Sequence, residues 1–112
     1  MKDLDLNDVR TFAAAAQAGT LTAAANELGC PVSTVSRALT RLEKHLGVLL
    51  VQRSPRGLEL TDSGTEFLQS CRRALRALRR GRELLEGRVS NPAGLIKVFV
   101  RLRWRATFSR RC

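Results

Sequence analysis

Residues 21–47 read LTAAANELGCPVSTVSRALTRLEKHLG, two apolar-periodic segments broken by Gly29-Cys30-Pro31. That break limits the fold more than any other feature. Gly29 supplies the left-handed conformation that a helix end favours. Pro31 suits the first turn of the next helix, where its missing N–H costs nothing. Two helices joined by so short a turn cross steeply. Thr20 is placed to cap the first, with Leu21, Ala24, Ala25 and Leu28 inward. In the second, Val35, Ala38, Leu39, Leu42 and Leu46 form one apolar stripe that ends at Gly47.

The opposite face of that second helix carries Ser33, Thr34, Arg37, Thr40, Arg41 and Lys44, three or four apart. Short hydroxyls let a backbone come close to phosphates and base edges, while arginine reaches guanine bidentately. Bulky groups at 33 and 34 would hold the helix off. A helix placed like this reads the major groove.

The flanking segments extend the same plan. Before the pair, Leu6, Val9, Phe12, Ala13 and Ala16 recur at helical spacing, with Asp5 or Asn7 as the cap and Gly19 as the stop. After it, VLLVQRSPRGLELT (48–61) places two apolar stretches around the turn signal Ser54-Pro55-Arg56-Gly57, a two-stranded hairpin with Arg53 and Arg56 at its tip. Asp62 or Ser63 then caps a long helix through about Val89. The expected fold is mainly α: a winged helix-turn-helix of three helices plus a hairpin over residues 1–61, and a long dimerisation helix over 62–89. Residues 90–112 form a basic tail.

The long helix repeats Phe67, Cys71, Ala74, Leu78, Gly81 and Leu85 at alternating spacings of four and three, a heptad seam. With Leu75 beside it, this set is the expected dimerisation surface, although Phe67 and Leu68 can equally pack on their own domain. From Ala74 onward the helix outruns so small a core, and a partner helix is the better occupant. The outer face, Arg72, Arg73, Arg76, Arg79, Arg80 and Arg82, is strongly basic, either simply solvated or drawn to DNA.

The chain of 112 residues carries 20 Lys and Arg against 10 Asp and Glu, a net charge of +10, which favours an anionic partner. Six basic and no acidic residues lie in 97–112, so the tail exaggerates how basic the folded part is. No apolar run approaches the ~20 residues of a membrane span, and MKDLDLND lacks a signal peptide's apolar core. Cys30, Cys71 and Cys112 form no CxxC pair, and with His45 alone they make no zinc site. Free thiols in a reducing cytoplasm fit that usage. The sequence offers no glycine-rich phosphate loop, nucleophile–histidine pair or paired carboxylates, so an enzyme and a cofactor are not expected.

Several stretches carry a family resemblance: Leu6-Asn7-Asp8-Val9-Arg10-Thr11-Phe12, Gly19-Thr20-Leu21-Thr22-Ala23-Ala24-Ala25, Ser33-Thr34-Val35-Ser36-Arg37, Leu42-Glu43, Leu46-Gly47-Val48-Leu49-Leu50, Arg53 and Leu60-Thr61-Asp62-Ser63-Gly64. In order and spacing they resemble the DNA-binding part of a LysR-type transcriptional regulator, from about residue 4 to 90. The resemblance implies a bacterial homodimer on a two-fold-related site in double-stranded DNA. Its third helix reads the major groove, its hairpin is the wing, and its fourth helix dimerises. The DNA-contacting set is then Pro31, Val32, Ser33, Thr34, Ser36, Arg37, Thr40, Arg41, Arg53 and Arg56. Ser36 lies next to the core stripe and either touches DNA or only bonds backbone; Arg53 either touches phosphate or braces the hairpin.

Two departures affect the site. Pro31-Val32 stand where the family often has Ser-Gln, and a valine can touch a thymine methyl but cannot hydrogen-bond. Val51 replaces a frequent Phe. A third is at the end. SNPAGLIKV resembles the hinge into the family's effector-binding domain, but FVRLRWRATFSRRC resembles nothing that should follow, and it reads as a truncated or out-of-frame terminus without an effector site. The alternation of Ile96, Val98, Val100, Leu102 and Trp104 with Lys97, Phe99, Arg101, Arg103 and Arg105 is a strand pattern without a sheet, expected to be mobile. The alternative reading is a protein–protein module, a shortened regulator that heterodimerises with a full-length relative.

Overall fold

The structure, a computed structural model, describes residues 4–88; the expectations for the tail lie outside them. The elements are α1 (Leu6–Ala18), α2 (Leu21–Leu28), α3 (Val32–Leu46), β1 (Val51–Ser54), β2 (Gly57–Leu60) and α4 (Asp62–Arg88). They follow the winged helix-turn-helix order.

Each boundary has a local cause. The Asp5 carboxylate accepts from the Asn7 amide at 2.8 Å, opening α1, and Thr20 Oγ1 accepts from the Ala23 amide at 3.1 Å, opening α2. Pro31 is itself the cap residue of α3, in extended conformation and without a side-chain cap bond. Gly19, Gly29 and Gly47 close the three helices in the left-handed conformation. The cap of α4 differs from the expectation of Asp62 or Ser63. Thr61 Oγ1 accepts from the Gly64 amide at 3.0 Å, and the same hydroxyl donates to the Leu49 carbonyl at 2.6 Å. One threonine thus starts the helix and ties it to the loop before the wing.

The wing is an antiparallel pair in the register Val51↔Leu60, Gln52↔Glu59, Arg53↔Leu58 and Ser54↔Gly57. Ser54 Oγ accepts from the Arg56 amide at 3.2 Å, bracing the Pro55-Arg56 turn. Only Arg56 sits at the tip. Arg53 lies on the strand, which corrects the sequence reading. Gly57 has φ +118°, and a Cβ there would lie 2.5 Å from the Gly19 carbonyl oxygen. That close approach lets the Leu58 amide donate to the same carbonyl at 2.9 Å, seating the wing on the α1–α2 turn.

Val9, Phe12, Ala15, Ala24, Ala25, Val35, Leu39, Leu42 and Leu50 form the core, completed by Leu68 and Cys71 from α4. The Phe12 and Phe67 rings stack with centroids 5.9 Å apart. The first compact unit accordingly runs to Arg72. Cys71, read as part of the dimer seam, is buried in its own domain, and burial pushes its thiol up to about 11. Phe67 is likewise taken up by Phe12. The heptad pattern continued the core stripe into the linker, and periodicity cannot say which partner covers each position.

The second unit begins at Arg73, and its described part is the distal length of α4. It exposes Leu78 (55%), Leu84 (60%) and Leu85 (59%), and Arg82 pairs with Glu86 at 3.6 Å.

Candidate nucleic-acid interface

The geometry of α3 separates two faces. Val35, Ala38, Leu39 and Leu42 are buried, and Pro31, Val32, Ser33, Arg37, Thr40, Arg41 and Lys44 are exposed. Thr34 and Ser36 lie half-buried between the faces. The outward face therefore begins with small or branched side chains and acquires its first cation at Arg37. That profile lets the N-terminal turn of α3 approach a groove floor while Arg37 reaches further.

Three ties fix how α3 is presented. The strongest is between Arg41 and Asp8, 33 residues apart. Arg41 Nε donates to Asp8 Oδ2 at 3.0 Å and Arg41 Nη2 to Oδ1 at 2.8 Å, a fork on a carboxylate only 1% exposed. The hydrogen bonds to Asp8 hold the Arg41 guanidinium above its ordinary pKa, against the opposing effect of burial and with the negative charges of Asp8 and Asp5 adding to the rise. The second tie is Glu43, whose Oε2 accepts from the Leu50 amide at 2.7 Å and the Val51 amide at 3.3 Å, locking the chain between α3 and β1. In the third, Arg53 Nη2 donates to Ser36 Oγ, joining the wing to the recognition helix.

These ties reassign several expected contacts. Arg41 has its fork occupied by Asp8, so it is a positioning residue before it is a cation for DNA. Ser36 and Arg53 are engaged with each other, which is the bracing reading of Arg53. Thr40 Oγ1 donates to the Ser36 carbonyl at 3.1 Å, back onto its own helix. Val32, Ser33, Thr34 and Arg37 on α3, with Arg56 on the wing tip, form the remaining outward set.

Asp8, Glu43, Thr61 and Gly64 have structural roles that the sequence motifs do not assign. Asp8 left a signal: it shares the inward face of α1 with Phe12 and Ala15, where an acid requires a partner. Gly64 left none: only the fold shows that a Cβ there would collide with the Leu50 carbonyl oxygen. No helix among the described residues is long and apolar enough to cross a membrane.

Known proteins share this arrangement. Residues 6–65 match the family described as bacterial regulatory helix-turn-helix protein, lysR family. The chain is 36% identical over 96 residues to an HTH-type transcriptional regulator of Xanthomonas campestris, covering 86% of this chain and 28% of that protein. It is 37% identical over 93 residues to an HTH-type transcriptional repressor of Pseudomonas aeruginosa, covering 83% and 29%. The chain thus spans under a third of the length of these relatives. Among solved structures, the DNA-binding domain of CbnR in complex with DNA superposes with a TM-score of 0.69 at 36% identity, over 74% of this chain and 95% of that one. With the family's profile over more than half of its length and a winged reading head built on the same plan, the chain belongs to the lysR family of bacterial regulatory helix-turn-helix proteins.

Proposed function

We propose that this chain regulates transcription by binding double-stranded DNA as a homodimer on a two-fold-related site. In this reading α3 enters the major groove, with Ser33, Thr34 and Arg37 at the bases or adjacent phosphates and Val32 against a thymine methyl. Arg56 follows the backbone at the wing. The observation that carries the reading is the division of α3: a buried stripe, three ties behind it, and an outward N-terminal half of short side chains ending in Arg37. The solved DNA complex of CbnR's equivalent domain supports the same use of the fold. Dimerisation falls to the exposed part of the seam, Ala74, Leu78 and Leu85 with half-buried Leu75 alongside, because Phe67 and Cys71 are taken up by the core.

The test is a binding-site selection followed by titration of the selected duplex. Arg37→Ala should weaken the selected site by about 1–3 kcal/mol and relax preference at one base pair in each half. Unchanged affinity together with unchanged preference would remove Arg37 from the interface.

A further inference from the structure

The charge on this protein is not where its reading head is. Residues 4–72 carry seven basic and seven acidic side chains and so have no net charge. Residues 73–88 carry six basic and two acidic ones. A neutral head gains little long-range attraction to a polyanion, yet nonspecific DNA affinity comes almost wholly from cation–phosphate contacts.

The distal length of α4 has the missing cations in an ordered array. At 3.6 residues per turn, Arg73, Arg76, Arg79 and Arg80 fall within roughly a third of the helix circumference, opposite Ala74, Leu78 and Leu85. Whatever covers the apolar seam leaves that face open. Arg76, Arg79 and Arg80 are exposed, and none has a carboxylate within ion-pair distance among the described residues. Arg76 faces Arg73 and Arg79 at three residues and Arg80 at four, spacings at which like charges destabilise a helix. The helix has the ordinary remedy further on, where Arg82 pairs with Glu86; Glu83 lies four residues after Arg79 and three after Arg80 yet is not within ion-pair distance of either, and no acid stands within four residues of Arg76. All seven basic residues of α4 are arginines and none is lysine. Arginine's planar fork matches phosphate oxygens bidentately, which a solvated face does not require.

We propose that the arginine face of distal α4 is a second, sequence-independent surface for the phosphate backbone of duplex DNA. It rests on the DNA-binding reading above. The surface supplies affinity, and α3 supplies choice of site.

The experiment compares the whole chain with Arg76→Gln/Arg79→Gln/Arg80→Gln on a ~40-base-pair duplex lacking the selected site, titrated across salt concentrations. Glutamine keeps helix propensity, and the matching triple lysine variant keeps the charge as a folding control. Three lost phosphate contacts should make the log–log salt slope shallower by about 2–3 units and weaken binding at least tenfold at physiological salt. The lysine variant should keep most of the slope, and the relative preference for the selected site should survive in both. An unchanged slope in the glutamine variant overturns the proposal. So does wild-type binding to phosphatidylglycerol vesicles that the glutamine variant loses while its DNA slope stays intact, since the face would then serve a lipid surface. A reduced slope in a protein with no preferred site would sink the transcriptional reading and leave this surface standing.

Discussion

Removing Arg41 should cost far more than its exposed position suggests. Asp8 is 1% exposed and its two carboxylate oxygens accept from Arg41 at 2.8 and 3.0 Å. In Arg41→Ala the carboxylate stays inside α1 without its cation. Breaking a buried pair by deleting one partner typically costs about 3–5 kcal/mol, because a buried charge is left uncompensated. Here the arginine end is 54% exposed, so water screens the pair and can enter once the side chain is gone. That places the expected loss near 2–3 kcal/mol, a large share of the ~5–15 kcal/mol that stabilises a typical domain.

The assay is urea denaturation followed by helix circular dichroism at fixed chain concentration, so that the proposed dimerisation cannot shift the comparison between variants. Asp8→Ala and the double variant complete a cycle. The double variant should be more stable than the sum of the single losses by at least about 1 kcal/mol, because removing Asp8 also removes the stranded charge. A loss below about 1 kcal/mol for Arg41→Ala, or a coupling near zero, would refute the reasoning. Arg41 would then be an ordinary surface cation, free for DNA as the sequence suggested.

Two further outcomes follow from α4. Cys71 holds its proton in the folded state up to about 11 against an ordinary 9.0, so the unfolded chain releases that proton first. Its contribution to stability is complete below about pH 9 and is lost as pH rises toward 11, and urea midpoints at pH 8 and pH 10 should diverge less in Cys71→Ala than in the wild type. Leu78→Arg places a charge on an exposed seam position and should give monomers by sedimentation with the winged unit still folded; a variant that remains dimeric would show that the seam is not the interface.

The helices were legible because their punctuation is local. Gly19, Gly29 and Gly47 mark ends that depend on one residue's backbone freedom, and Thr20 caps the helix it precedes. Tertiary ties were less legible. The Asp8–Arg41 fork spans 33 residues, and an arginine on a helix looks the same in sequence whether it faces phosphate or a buried carboxylate. Arg53 poses the same ambiguity: its bond to Ser36 is a tertiary tie that its sequence position does not announce. Thr61 stands beside two equally good capping residues, Asp62 and Ser63. What distinguishes it is a second bond to Leu49, across a loop no local rule could place. Cys71 and Phe67 continued a perfect seam, and only the position of Phe12 decides that the near end of that seam faces inward.

The inward use of arginine changes what the reading head can recognise. Of the four arginines expected at DNA, Arg41 is tied to Asp8 and Arg53 to Ser36, and the proposed mode relies on Arg37 on α3 and Arg56 on the wing. With Val32 where a glutamine would hydrogen-bond, the first turn of α3 offers a branched methyl surface and two hydroxyls. In the proposed binding mode such a surface would discriminate by fit against thymine methyls and by close backbone approach, with Arg37 as the longest side chain of its N-terminal half. The ties matter more under those conditions. Short side chains have little reach, so a small change in the tilt of α3 breaks their contacts, whereas a longer reader could follow. The fork at Arg41 and the Glu43 bonds to the loop amides hold the C-terminal half of α3, and the Arg53 bridge holds its N-terminal half at Ser36. Rigidity behind the helix replaces length in front of it.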